Sequence, residues 1–413
     1  MSRRTDDALG EMARAFLDAI AADPDDIASY LVYGDFLQSR SHPRGELIAL
    51  QAGEERARMN ASRPSALGNR PAQDRIRELL TEHADELTGW RDTWQWRFAK
   101  DCDRILRHRW FCGFLHEIAV QLPDVWVEQL VQTELARLLH QLLAHPSARV
   151  VRTLTLGACW QESYTLGPAP ESVDQLNRQI VRSLVDAGER PVRSLQLGDF
   201  SGRHVARGHF GDLSTLLRLY PRLQELTVRG NCDLGERLPL LSLRHLELWF
   251  CERGPDHYYD WDEGAGIERG ERQACMLVVL SSLLPELSTL ILEFGTRHRD
   301  VASDVLPLGS LLEGKRFPRL RHLGLRRHHG EDCGVLLELL ASAPLLARLE
   351  RLDLSDNALE DEHVELILRQ PERFRHLREL DLRDNLLSDE TVEALAALPN
   401  LRTFGQRQEY DDP

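Results

Sequence analysis

Few side chains in this 413-residue sequence stand at spacings that could do chemistry. His322, His328 and His329, with His298 upstream, carry the ring nitrogens that ligate zinc. Two of them are adjacent, and no cysteine or carboxylate completes a ligand spacing. The group therefore reads as solvated surface histidines in preference to a zinc site. Asp256, Asp260, Asp262 and Glu263 offer the oxygen ligands that calcium takes, but the EF-hand spacing is not met. A phosphate cradle of the form G-x-x-x-x-G-K-[ST] does not occur, and Lys100 and Lys315 are the only lysines. Neither a G-x-S-x-G elbow nor an H-E-x-x-H zinc helix occurs. Cys102, Cys112, Cys159, Cys232, Cys251, Cys275 and Cys333 form no C-x-x-C pair, and their odd number argues against a disulfide framework. The expectation is a protein without catalytic residues, cofactor or metal.

Recognition chemistry remains. The run from Asp256 to Glu263 interleaves Tyr258, Tyr259 and Trp261 with Asp260 and Asp262. Tyrosine and tryptophan supply much of the energy of protein interfaces. Between Cys251 and Arg272 there are seven acids against three arginines, a balance suited to a partner with a basic patch. Across the chain 51 Lys and Arg face 66 Asp and Glu, a formal charge of −15, which argues against general nucleic-acid binding. A hydrophobic content of 42% indicates a folded, soluble chain. The longest apolar run, near Met276 to Leu284, is about half of the roughly 20 residues that cross a bilayer. The first seven residues lack the apolar core of a secretory signal. A cytoplasmic monomer with a protein partner, away from membranes and nucleic acid, is expected.

An internal repeat sets the elements that must present such residues. Leu349, Leu352, Leu354, Asn357 and Leu359 recur 28 residues later as Leu377, Leu380, Leu382, Asn385 and Leu387. Weaker copies of the same L-x-x-L-x-L core begin at Leu320, Leu287, Leu243, Leu223, Val192, Val151 and Leu115, with a truncated one at Leu401. Pro221, Pro285, Pro318 and Pro399 stand two residues before a first strand leucine, where proline ends a helix. Val364–Leu368 and Val392–Leu398 have helical spacing, with Ser388 as a candidate N-cap.

The motif L-x-x-L-x-L-x-x-N-x-L resembles the leucine-rich repeat. That resemblance implies an α/β solenoid, a curved parallel sheet with outer helices, over residues 111–405. Asn357 and Asn385 are then expected to hydrogen-bond backbone groups in the turns between coils. The leucines face the core, and the third, fifth and seventh positions of each copy point to the concave surface. Most of these positions are polar, but Trp249 and Ile291 fall there in adjacent copies. Two readings stand: an apolar patch for a partner, or a patch covered by the long insertion between them. The expected partner site joins Trp249 and Ile291 to Tyr258, Tyr259, Trp261, Asp260, Asp262, Arg229, Glu247, Glu293 and Arg326.

Ahead of the array, the Asp23-Pro24-Asp25-Asp26 turn, the Tyr33-Gly34-Asp35-Phe36-Leu37 run and Pro43-Arg44-Gly45-Glu46 resemble a short bacterial repeat-companion domain. Gly34 and Phe36 depart from it, where alanine and tryptophan are commoner. The resemblance implies a leucine-rich-repeat partner on the same chain and no particular activity. The segment reads as helices, with Asp25 or Asp26 as a cap; Arg44 and Glu46 either pair with Asp35 or form a binding site. Residues 53–72 read as a polar connection, and a helix is expected through Ile76, Leu79 and Leu80. The aromatic stretch from Trp90 to Phe114 suits a cover for the first repeat or a ligand cage.

The expected organisation is a small all-helical domain at 1–55, a linker and aromatic cap at 56–110, the repeats at 111–405 and a tail at 406–413. The expected function is a non-catalytic scaffold or sensor that binds a partner protein on the concave face. The alternative is a regulator of a partner enzyme, GTPase-activating or inhibitory.

Overall fold

A computed structural model describes residues 2–60, 70–92, 94, 101–123, 134–159, 170–198, 208–250, 274–294, 308–327, 333–396, 398 and 401–402. Tyr258, Tyr259, Asp260, Trp261 and Asp262 lie outside these residues, as do His298, His328 and His329. The chain separates into two compact units, Met1–Ala158 with Arg182–Ser194, and Cys159–Val181 with Leu195–Pro413. No helix among the described residues is long and apolar enough to cross a membrane.

The first unit opens with helices α1 (Ser2–Ala22), α2 (Ile27–Gln38), α3 (Pro43–Asn60) and α4 (Arg70–Glu82). Asp26 caps α2, its carboxylate accepting from the backbone N–H groups of Ala28 (3.0 Å) and Ser29 (3.1 Å). Gly45 lets α3 approach α2, because a Cβ there would lie 2.7 Å from the Gln38 nitrogen. Ile20, Tyr30, Tyr33, Leu37 and Ile48 share one buried cluster with Phe111 and Phe114. The sequence expectation placed a polar connection from residue 53, yet α3 runs on to Asn60. Its last turns are rich in Glu and Arg, good helix formers, with Arg58 paired to Glu55 at 2.6 Å. α4 follows as expected, with Leu79 packed on Leu47 and Leu87.

Strands β1 (Leu106–Phe111) and β2 (Phe114–Pro123) form an antiparallel hairpin, and β3 (Thr153–Cys159) lies beside β2. The weak copy at Leu115, Ile118 and Val120 is this β2, which is both a hairpin arm and the neighbour of the next copy: the Arg152 amide donates to the His116 carbonyl at 2.9 Å, as Arg321 does to Ser288 (2.9 Å) and Arg378 to Glu350 (2.7 Å). What the alternation alone did not report is the antiparallel partner β1 on its other edge.

In the second unit the main sheet holds β4 (Ser194–Leu197), β6 (Glu225–Arg229), β8 (His245–Trp249), β9 (Thr289–Glu293), β10 (His322–Arg326), β11 (Arg351–Asp353), β12 (Glu379–Asp381) and β13 (Leu401–Arg402), in that order. From β6 onward each neighbouring pair is parallel. Two short strands, β5 (His209–Asp212) and β7 (Asn231–Asp233), pair separately and in parallel. Helices at Cys333–Ser342, Asp361–Arg369 and Asp389–Leu395 stand between the last strands, as parallel crossovers require. The side chain of Ser388 accepts from the Thr391 amide at 3.2 Å and caps the last of them.

Leu226, Leu246, Leu290, Leu323, Leu352 and Leu380 are all buried, as are the residues two positions on in each strand. Arg327, Asp356 and Asp384, each at the eighth position of its copy, adopt φ of 55°, 59° and 56°. Three successive copies therefore turn the chain in the same left-handed conformation. Asparagine follows twice and closes the turn. Asn385 is 0% exposed; its side-chain oxygen accepts from the amides of Asn357 (3.0 Å) and Leu359 (3.1 Å), and its nitrogen donates to the carbonyl of Leu354 (3.1 Å). Asn357 donates in turn to the Leu325 carbonyl at 2.7 Å. The turn role expected for both asparagines is the one observed.

Candidate functional site

Strand register arranges the third, fifth and seventh positions into rows across the sheet. The first row runs Glu225, His245, Thr289, His322, Arg351 and Glu379. The second runs Thr227, Glu247, Ile291, Gly324, Asp353 and Asp381. The third brings Arg229, Trp249, Glu293 and Arg326 together. The named site residues that lie within the described structure are thus neighbours on one face.

Their exposure differs from the expectation. Trp249 is 1% exposed and Ile291 5%, so neither presents an open apolar patch. The Arg229 guanidinium stacks on the Trp249 ring at 3.8 Å from its centre, and the indole N–H donates to the Glu247 carboxylate. Glu247 also receives His245 Nε2 at 3.3 Å and lies 3.8 Å from Arg229. Burial opposes the charge of Glu247, yet these neighbours hold its carboxyl below the usual range. Ile291 fills space that its neighbour in the row leaves open. A Cβ on Gly324 would come within 3.2 Å of two Ile291 side-chain carbons, so glycine there leaves the isoleucine its space. Sequence reasoning passed over Gly324, though its place between His322 and Arg326 in the alternation could have marked it.

The third row and the turn beyond it hold an ion-pair network. Arg326 pairs with Asp353 (2.5 Å), Arg327 with both Glu293 (3.2 Å) and Asp356 (3.1 Å), and Arg383 with Asp381 (2.6 Å). Glu293 is 2% exposed, and burial pushes its carboxyl up to about 7 despite the two arginines. Arg327 was not among the expected residues; its side chain matters because the left-handed turn aims it back across the face.

The first row holds the exposed positions, while Arg229, Glu247 and Arg326 of the other rows are half-buried. Glu225 and Arg351 are exposed, and His245, Thr289, His322 and Glu379 are half-buried. Arg351 reaches Glu379 at 3.7 Å, and this row alternates acid, imidazole, hydroxyl, imidazole, guanidinium and acid. Such a surface can exchange hydrogen bonds and ion pairs with a polypeptide over six strands.

Residues 376–398 match the Leucine Rich Repeat family. That stretch carries Leu377, Leu380, Leu382, Asn385 and the helix Asp389–Leu395. A crystal structure of a Bacteroides fragilis protein, determined by a structural-genomics consortium, is similar with a TM-score of 0.48 and 21% identity, over 68% of this chain and 70% of that one. No curated protein matches the chain.

Proposed function

We propose that the chain is a non-catalytic scaffold or sensor that binds a partner protein on the concave face of a curved leucine-rich-repeat solenoid. The supporting observation is the first row: six in-register positions from successive copies form one polar, accessible stripe. Leucine-rich repeats in general suit protein–protein interaction, because a repeated strand offers the same outward positions again and again. In this reading Glu225, His245, Thr289, His322, Arg351 and Glu379 contact the partner. Arg229, Trp249, Glu247, Ile291, Glu293 and Arg326 form the rigid floor beneath it. Tyr258, Tyr259, Asp260, Trp261 and Asp262 contribute from the insertion that follows β8 in the sequence and favour a basic patch on the partner. The chain acts as a cytoplasmic monomer, with residues 1–55 as a repeat-companion domain, 56–110 as its connection and 111–405 as the array.

The test is affinity measured on a partner captured by the full chain. Arg351→Glu should weaken binding roughly tenfold, the cost of one mispaired charge at an interface, with the unfolding midpoint unchanged. Equal binding by Arg351→Glu and by a His322→Glu variant would refute the assignment of the contact row.

A further inference from the structure

In each of the two N-terminal motifs one charged side chain, Arg44 or Asp25, turns toward the strands that follow. Arg44 of the Pro-Arg-Gly-Glu motif is 4% exposed and makes no pair with Asp35. Its guanidinium donates to the carbonyl of Gly113 (2.5 Å) at the β1–β2 turn, to the Glu86 carbonyl (3.3 Å) and to the Ser147 hydroxyl (3.0 Å). It also lies 4.9 Å from the centre of the Phe114 ring. The Gly113 amide donates to Gln51 of α3 at 2.7 Å, so both backbone groups of that turn residue are held by one helix. Glu46 pairs with Arg75 of α4 at 2.7 Å.

The Asp-Pro-Asp-Asp turn does the same at another point. Asp26 is used as a helix cap, but Asp25 pairs with Arg152 and, at 2.8 Å, with Arg193. These two arginines hold the same place in consecutive copies, the second position, directly after Val151 and Val192. Farther along, Arg378 at that position pairs with Glu350, the second-position residue of the copy before it, at 2.9 Å. The copy before Arg152 has His116 at that position, 3.1 Å from the guanidinium but no acid, and the copy before Arg193 has Arg152 itself; Asp25 supplies from a helical turn the acid that Glu350 supplies to Arg378. Tyr30, Tyr33 and Ile48 complete the match by packing with Phe111, Phe114 and Val150 in one buried cluster.

From this geometry we propose that the N-terminal helical segment is an interaction module whose partner is the first strands of its own chain. It covers the ends of these strands, reading the second-position arginines with Asp25 and the hairpin turn with Arg44 and Gln51. Its ligand class is an arginine-bearing strand end. This gives both motifs a role that does not depend on what the strand rows of the second unit bind.

Native-state hydrogen exchange on the full chain tests it. Asp25→Ala should speed exchange of the β3 amides and of the α2 amides together, roughly tenfold or more, and leave β10–β12 unchanged. Arg152→Ala should give the same pattern, and the double variant should be little worse than Asp25→Ala alone, because both variants remove the Asp25–Arg152 pair. Asp25→Glu should recover part of the protection. If Arg44→Met fails to fold, these milder variants still decide the matter. Unchanged β3 exchange in Asp25→Ala, or fully additive losses in the double variant, would overturn the proposal.

Discussion

Replacing Asn385 by alanine removes the side chain that closes the turn between two copies. Its oxygen accepts two backbone amides, those of Asn357 and Leu359, and its nitrogen donates to the carbonyls of Leu354 (3.1 Å), Leu382 (2.9 Å) and Arg383 (3.2 Å). The site is sealed, so water does not replace these partners without opening the turn. A buried polar group left without its partner costs about 1–3 kcal/mol. Two stranded amides, allowing for some relaxation, give an expected loss of about 2–5 kcal/mol. Urea unfolding followed by circular dichroism reads the loss, and hydrogen exchange at the Asn357 and Leu359 amides locates it. Asn385→Asp separates the two halves of the side chain, since it keeps the acceptor and loses the donors. Wild-type protection at both amides in Asn385→Ala, with a midpoint unmoved, would show that the turn does not depend on this side chain.

Glu293→Gln should raise the unfolding midpoint at pH 8 more than at pH 5. Its carboxyl is raised from 4.5 to about 7, so the folded chain holds a proton there that the unfolded chain has released, and stability falls as pH rises through that window. An equal midpoint shift at both pH values would contradict this. Burial lowers His116 and His145 from 6.5 to about 4, so their contribution to stability is full above 6.5 and lost as pH falls toward 4. Protection factors of the α2 and β2 amides, corrected for the intrinsic pH dependence of exchange, should therefore fall between pH 6.5 and 4, less so in His116→Phe; identical profiles would count against it. Trp249→Ala should cost about 3–5 kcal/mol of stability, as expected for emptying a packed indole site. A variant as stable as wild type would return Trp249 to the surface. Gly324→Val should destabilise the strand by about 1–3 kcal/mol through overpacking against Ile291, read as a lower thermal midpoint.

The strand order of the second unit was legible because leucines spaced L-x-x-L-x-L report which face is buried, and Asn357 and Asn385 report where the turn closes. The hairpin was less legible: Leu115, Ile118 and Val120 obey the same alternation whichever way the neighbouring strand runs. The rows of the candidate site followed from the repeat register, but exposure within a row did not. Trp249 sits at an outward position by pattern and is buried, with the Arg229 guanidinium on its ring and the Glu247 carboxylate on its indole N–H. Local spacing has no information about that. Nor could it assign Arg44, whose partners lie 42, 69 and 103 residues away along the chain.

The most direct test of the proposed interaction face is photo-cross-linking in cells of the source organism. A photoreactive residue is placed singly at Thr289 or Arg351 in the first row, or at Leu339 or Leu368 on the helices, all in the full chain. The account predicts one specific protein adduct from Thr289 and Arg351, lost when His322→Glu is added, and none from Leu339 or Leu368. Adducts from the helix positions with none from the strand positions would contradict it.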